Sequence, residues 1–266
     1  LLLIVINSRV QYHAVWTELT KEGHQSFHTL SGLAALNKYG LVGEYLKLEI
    51  RSLLRNKGPR KLFLSATVIV VFISLLITLS TVYDDAFMTN FWCIYDFIVY
   101  GGMLLPRAMS YERNYISCLM VHKESLLSLL TAKYYFSCLM IAVPFVMMMP
   151  MIIIGKWSLL MVVSYAVFTA GMQYFLLMQI AVYNKQRLPL NEKFIGNGNT
   201  NYVIMLLMIL AFVIPMFLIN ILQSVLTEQV SWCVMMIIGC GFIATHHLWI
   251  NRIMKNKYSL TEVADA

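Results

Sequence analysis

Charge is what this chain has least of. Asp, Glu, Lys and Arg make up 12% of its 266 residues, while hydrophobic residues make up 59%. Mean hydropathy is +0.70. A soluble globular domain, about 45–50% apolar, is excluded by that balance. Cysteine is sparse and scattered: Cys93, Cys118, Cys138, Cys233 and Cys240 form no C-x-x-C pair. Neither a zinc ribbon nor a thioredoxin-like motif is therefore indicated. No G-x-x-x-x-G-K-[ST] string occurs. The nearest, "PMIIIGKWS", has Pro150 in place of the first glycine, and "IGNGNTN" at 195–201 lacks G-x-G-x-x-G spacing. No H-E-x-x-H, G-x-S-x-G or paired-carboxylate motif lies in the apolar runs. The chain is thus expected to be no enzyme, to bind no cofactor or metal, and to take any energy from another polypeptide. The opening Leu1–Ile6 lacks the basic start and small-residue cleavage site of a signal peptide. Residues 1–7 read instead as the tail of a preceding span, in a longer chain.

What is present is a set of long apolar runs. Six read as spans, most of them reaching the roughly 20 residues that cross a bilayer as a helix: about 62–82, 91–105 (extending past Pro106 toward Met109), 134–154, 159–182, 202–222 and 230–250. The expected fold is all-α, a polytopic six-helix transmembrane bundle over 62–250, preceded by an amphipathic interfacial helix and basic flank at 44–61. A cytoplasmic linker, 8–43, and a cytoplasmic tail, 251–266, complete the plan. The connecting segments on one side carry Lys156 alone, and the other side carries the remaining 19 of 20 Lys and Arg. Basic loops stay in the cytoplasm, so the carboxy terminus is expected there, with Asp84, Asp85 and Glu228 outside. This topology accounts for the net charge of +7 without nucleic acid as a partner.

Two polar segments flank the first spans. In "EYLKLEIRSLLRNKGPRKLFL", Leu46, Ile50, Leu53 and Leu54 recur at helical spacing, and Lys47, Arg51 and Arg55 form a second stripe. One reading is an amphipathic elbow helix lying in the membrane interface, closed by Gly58-Pro59. The other is a plain basic flank that only sets orientation. In "SYERNYISCLMVHKESLLSLLTAKYYF", within the loop 106–133, Ile116, Leu119 and Met120 mark the apolar face of a short helix. Glu112 and Arg113 stand at its start, and Ser125 can cap a second helix that runs through Lys133 into the third span.

That loop resembles the signature of permease subunits of ABC exporters of the ABC-2 type. The family pattern runs roughly E-R-x-x-G-T-L-E-x-L-x-x-x-P-[IV]-S, with a lysine eight residues after the serine. Glu112 and Arg113 match its start, and Ser125 and Lys133 keep the separation; Gly-Thr is missing, and Lys123 stands where proline is usual. The chain over 41–260 is also similar to a poorly characterised permease family of Bacteroidota, whose chains carry a second set of spans. The resemblance implies a bacterial inner-membrane exporter subunit whose helix 112–121 docks into a separate ATPase. Its ATPase-coupling residues would be Glu112, Arg113, Ile116, Leu119, Met120, Ser125 and Lys133. ATP-Mg would sit on that partner, and a second six-span half would come from the same chain or a dimer. Without docking, the same loop would simply pack under the bundle.

Within the spans, Asp96 is the lone acidic residue. An ionisable side chain there is a pathway candidate by default, with Tyr100 beside it. Its alternative is a place in the outer interface, paired with a tyrosine hydroxyl. Pro144, Pro150 and Pro215 are expected to kink the third and fifth spans. His246 and His247, adjacent on a helix, are not expected to face each other. An apolar interior suits a hydrophobic or amphipathic substrate. A secondary transporter and a non-transporting scaffold remain as alternatives.

Overall fold

The computed structural model describes residues 31–81, 83, 85–112, 126–184 and 202–264. Arg113, Ile116, Leu119, Met120 and Ser125, most of the expected 112–121 helix, and the span tail at 1–7 lie outside the described residues. Among those described there are helices and no strands. After a tight 3-10 stretch at Ser31–Tyr39 come α1 (Gly40–Arg55), α2 (Lys57–Leu79), α3 (Ala86–Glu112), α4 (Leu126–Met140) and α5 (Ala142–Ile153). Then follow α6 (Leu159–Phe168), a π-helical turn at Thr169–Gln173, α7 (Tyr174–Tyr183), α8 (Tyr202–Val225), α9 (Glu228–Ala244) and α10 (His246–Ala264).

Four helical runs are long and apolar enough to cross a membrane: Lys57–Leu79, Leu126–Ile153, Leu159–Tyr183 and Ile204–Val225. A fifth is reached if α9 and α10 count as one span, broken by 58°. The run expected at 91–105 is the departure. Its helix α3 has 27 residues, about 40 Å at 1.5 Å per residue, but it is too polar to qualify. The physical reason is its place. It packs against α2, α4, α5, α6, α7 and α8, and Cys93, Ile94, Asp96, Phe97 and Tyr100 are all buried. A helix walled by protein does not need a lipid-facing composition.

Two of the breaks differ from expectation, and a third falls where a proline is expected to act. The sixth run does not stay straight from 230 to 250. It breaks at Thr245, whose hydroxyl donates to the Gly241 carbonyl at 2.8 Å, and no proline is involved. The third run breaks at Ile141, three residues before Pro144, where the missing proline N–H leaves the preceding turn unsatisfied. Pro150 and Pro215 sit inside continuous helices. Ahead of the first span, the break falls at Asn56 (φ −86°, ψ 132°) rather than at Gly58-Pro59. Pro59 lies in the first turn of α2, where its lost N–H has no helical partner to forfeit.

Close backbone approach holds α6 and the π-helical turn after it against α9. A Cβ on Gly171 would strike the Gly239 carbonyl, and one on Gly239 would lie 2.6 Å from the Val167 carbonyl. Small residues facing one another allow this contact in apolar bundles.

Candidate functional site

The residues singled out by sequence fall in two places. The first is the junction of α1 with α4. Val42, Tyr45, Leu46 and Leu53 lie on one arc of α1 and pack on Leu129, Ala132, Phe136 and Met140 of α4. Ile50 is half-buried beside them. Within this apolar contact Lys133 is ion-paired with Glu49, the two side chains being 3% and 16% exposed. Lys133 lies on a helix, as its place after Ser125 suggests, and is buried there. The continuous helix that starts at Leu126 carries it under α1. Leu54 is 53% exposed, because one residue past Leu53 turns it about 100° away from the contact with α4. The outward face of α1 carries the exposed Arg51 and Arg55, with Lys47 half-buried at its edge. Glu112 closes α3.

The second place is the buried side of α3. Asp96 is 0% exposed, and neither carboxylate oxygen has a hydrogen-bond partner among the described residues. This overturns the interface reading in which a tyrosine hydroxyl pairs with it. Tyr100, one turn further on the same face, donates to Thr67 Oγ1 of α2 at 3.0 Å. Its ring packs with Ala66, Val70 and Val99. Tyr100 thus pins α3 to α2, and Asp96 sits a turn away in the same apolar wall. On the other side of α3, a Cβ at Gly101 would run into the Tyr174 ring.

A further polar group was not visible in the sequence. Tyr165 of α6 donates to Asn90 Oδ1 at 2.8 Å, and Asn90 Nδ2 donates to Gln223 Oε1 of α8 at 2.9 Å. Asn90 and Gln223 are 133 positions apart, and each reads alone as a polar residue near the end of a span. The signal, in retrospect, is their position at the ends of apolar helices, Asn90 near the start of α3 and Gln223 in the last turn of α8.

The two histidines also depart from expectation. His246 and His247 have ring centroids 3.9 Å apart, because α10 starts at the break between them and Ala244. His246 Nε2 lies 2.8 Å from the Tyr135 hydroxyl. Among the described residues no group of three or more His, Cys, Asp or Glu side chains could hold a metal ion.

Comparison with known proteins is brief. No curated protein and no solved structure matches the chain. One family model, described as a family of unknown function (DUF5687), matches residues 1–262, and the chain belongs to that family.

Proposed function

We propose that this chain is the transmembrane permease subunit of an ATP-driven exporter of the ABC-2 type, moving a hydrophobic or amphipathic substrate. In this reading it resides in a bacterial cytoplasmic membrane with its carboxy terminus in the cytoplasm. Six helices cross: the four apolar runs, the bent α9–α10 pair, and α3, whose polar residues face protein rather than lipid. α1 is the elbow helix at the lipid surface, and residues 112–121 are the coupling helix for a separate ATPase that carries the ATP-Mg. A second six-span half completes the pathway.

The observation that carries this reading is the buried Glu49–Lys133 pair. A coupling segment works only if a push on it reaches the membrane helices. α4 emerges directly from the loop that holds the coupling residues, and the ion pair clamps α1 to that same helix. Loop, α1 and α4 can then move as one body. A solvated connector has no need of a buried charge pair, which is costly to desolvate.

The test is co-purification of the full-length chain from its native membranes. A Walker-motif ATPase in stoichiometric yield supports the reading, and its absence from a well-folded sample sinks it. Replacing Leu119 and Met120 together by Asp should abolish ATPase association while the bundle stays folded; unchanged association would remove the coupling assignment. One observation favours a secondary transporter instead, namely the buried Asp96, which has no hydrogen-bond partner among the described residues. That reading requires ion-gradient-driven transport in vesicles without any ATPase.

A further inference from the structure

Between α7 and α10 lies a cavity of about 350 Å³, lined by Phe175, Gln179, Tyr183, Trp249, Arg252 and Ile253. Its size is at the lower end of small-ligand pockets, about 300–1,000 Å³. The sequence accounts for both walls. Phe175, Gln179 and Tyr183 recur at steps of four, which puts them on one stripe of α7. Arg252 and Ile253 follow Trp249 by three and four positions and share one face of α10 with it. The 58° break at Thr245 turns α10 off the line of α9, and α10 packs on α7. The two stripes therefore face each other across the cavity.

The floor is aromatic and fixed. Trp249 is buried, its indole N–H donates to the Phe242 carbonyl at 3.0 Å, and its ring meets Phe175 edge-on with centroids 5.3 Å apart. The rim is the opposite. Gln179 is half-buried, and Tyr183 and Arg252 are exposed. Among the described residues none of these three makes a hydrogen bond or an ion pair, and the Gln179 amide is not sealed in the interior. Phe175 to Tyr183 forms the end of a run long and apolar enough to cross a membrane, Leu159–Tyr183. The lining thus passes from aromatic carbon to hydrogen-bonding and cationic groups where the bilayer core ends. That profile matches an amphiphile standing in one leaflet. Among the described residues Arg252 is the one charged group of the lining. With no carboxylate there to meet an amine, the rim complements a headgroup of net negative charge. A soluble anion would leave the aromatic floor unused.

We infer that the α7–α10 cleft holds one anionic phospholipid, with its phosphate on Arg252, Gln179 and Tyr183 and the start of an acyl chain over Phe175 and Trp249. Basic pockets between spanning helices select anionic headgroups in this way. A cation that only marks the end of a span needs no such lining. Lys255, exposed one turn further along α10, lies outside the cavity and supplies the internal comparison. This assignment does not depend on coupling to an ATPase.

Native mass spectrometry of the full chain released from maltoside micelles tests it, with dioleoyl-phosphatidylglycerol, dioleoyl-phosphatidylcholine and sn-glycerol 3-phosphate as probes. One phosphatidylglycerol per chain is expected, bound about fivefold or more tighter than phosphatidylcholine, the worth of one basic side chain at an anionic headgroup. Glycerol phosphate, the same headgroup chemistry without acyl chains, should not bind. Arg252→Gln should remove the preference for phosphatidylglycerol, and Gln179→Leu should weaken its binding by about threefold. Neither side chain has a hydrogen bond or ion pair to lose among the described residues, so both variants should keep the wild-type unfolding temperature. Lys255→Gln should leave lipid binding unchanged. If Lys255→Gln loses as much as Arg252→Gln, diffuse surface charge holds the lipid and the cleft does not. If glycerol phosphate binds as tightly as phosphatidylglycerol, the site belongs to a soluble anion and the lipid assignment is overturned. Equal binding of the two lipids by the wild type, or binding of neither, overturns it as well.

Discussion

Lys133 and Asp96 are both sealed from solvent, 3% and 0% exposed, yet their surroundings differ in kind. Lys133 meets Glu49 across a helix–helix contact, whereas both oxygens of Asp96 are without a partner among the described residues. A buried pair with matched charges fixes which face of α1 meets which face of α4, since sliding either helix by a turn would strand one charge. A lone buried carboxylate fixes nothing. It contributes no contact to the fold that an isosteric side chain would lose. The comparison separates a polar residue that builds the structure from one whose retention calls for another explanation.

The largest expected effect breaks the paired side. Lys133→Met removes the ammonium that the largely buried Glu49 carboxylate is paired with, and should destabilise the protein by about 3–5 kcal/mol. Thermal unfolding in detergent micelles reads this out. Combining it with Glu49→Met should restore most of the loss, because two apolar side chains of similar volume replace the pair. If the single variant unfolds with the wild type, the ion pair is not what seats α1.

The α1–α4 junction was half legible in the sequence. The 3.6-residue period of the α1 segment is plain, and it marks Leu46, Ile50 and Leu53 correctly. Glu49 was the overlooked signal. It stands between Tyr45 and Leu53 on the apolar arc, where an acidic residue is costly unless something pairs with it. Lys133 was marked by its separation from Ser125, but its burial was not, because a lysine near a span end reads by default as a cytoplasmic anchor. The central place of α3 was hidden for a related reason. Hydropathy ranks helices by fitness for lipid, and a helix surrounded by other helices is released from that requirement. The break at Thr245 had no proline to announce it, and the Tyr165–Asn90–Gln223 chain joins three helices far apart in sequence. Pairings of that kind are written in the tertiary structure alone.

A second way to sharpen the contrast uses packing that involves no charge. Gly171→Ala places a methyl against the Gly239 carbonyl, and backbone cannot yield as a side-chain tip can. A loss of about 1–3 kcal/mol is expected from the overpacking, seen as a lower unfolding temperature with unchanged helix content. An unchanged temperature would mean that α6 and α9 are not held at this separation. Smaller again is Tyr100→Phe. It deletes one hydrogen bond to Thr67 and keeps the ring between α2 and α3, so about 1 kcal/mol should be lost. If the loss reaches that of Lys133→Met, the hydroxyl does more than pin two helices.

Asp96→Asn should have the smallest effect of all. The substitution exchanges one carboxylate oxygen for an amide nitrogen of nearly the same size, and neither oxygen has a hydrogen bond to lose among the described residues. Stability should not fall below that of the wild type, because a neutral amide is less costly to hold in an apolar wall than a carboxylate. Folded yield after solubilisation and the unfolding temperature both measure this. The result acquires meaning beside Lys133→Met. If Asp96→Asn folds normally but the reconstituted protein loses transport, the carboxylate serves the pathway and not the scaffold. If instead the variant fails to fold, Asp96 has a partner that joins it during assembly, and the contrast between the two buried charges disappears. A variant that both folds and transports normally would leave Asp96 as a tolerated cost in an apolar wall, and would shift attention to the polar residues around Asn90 and Gln223.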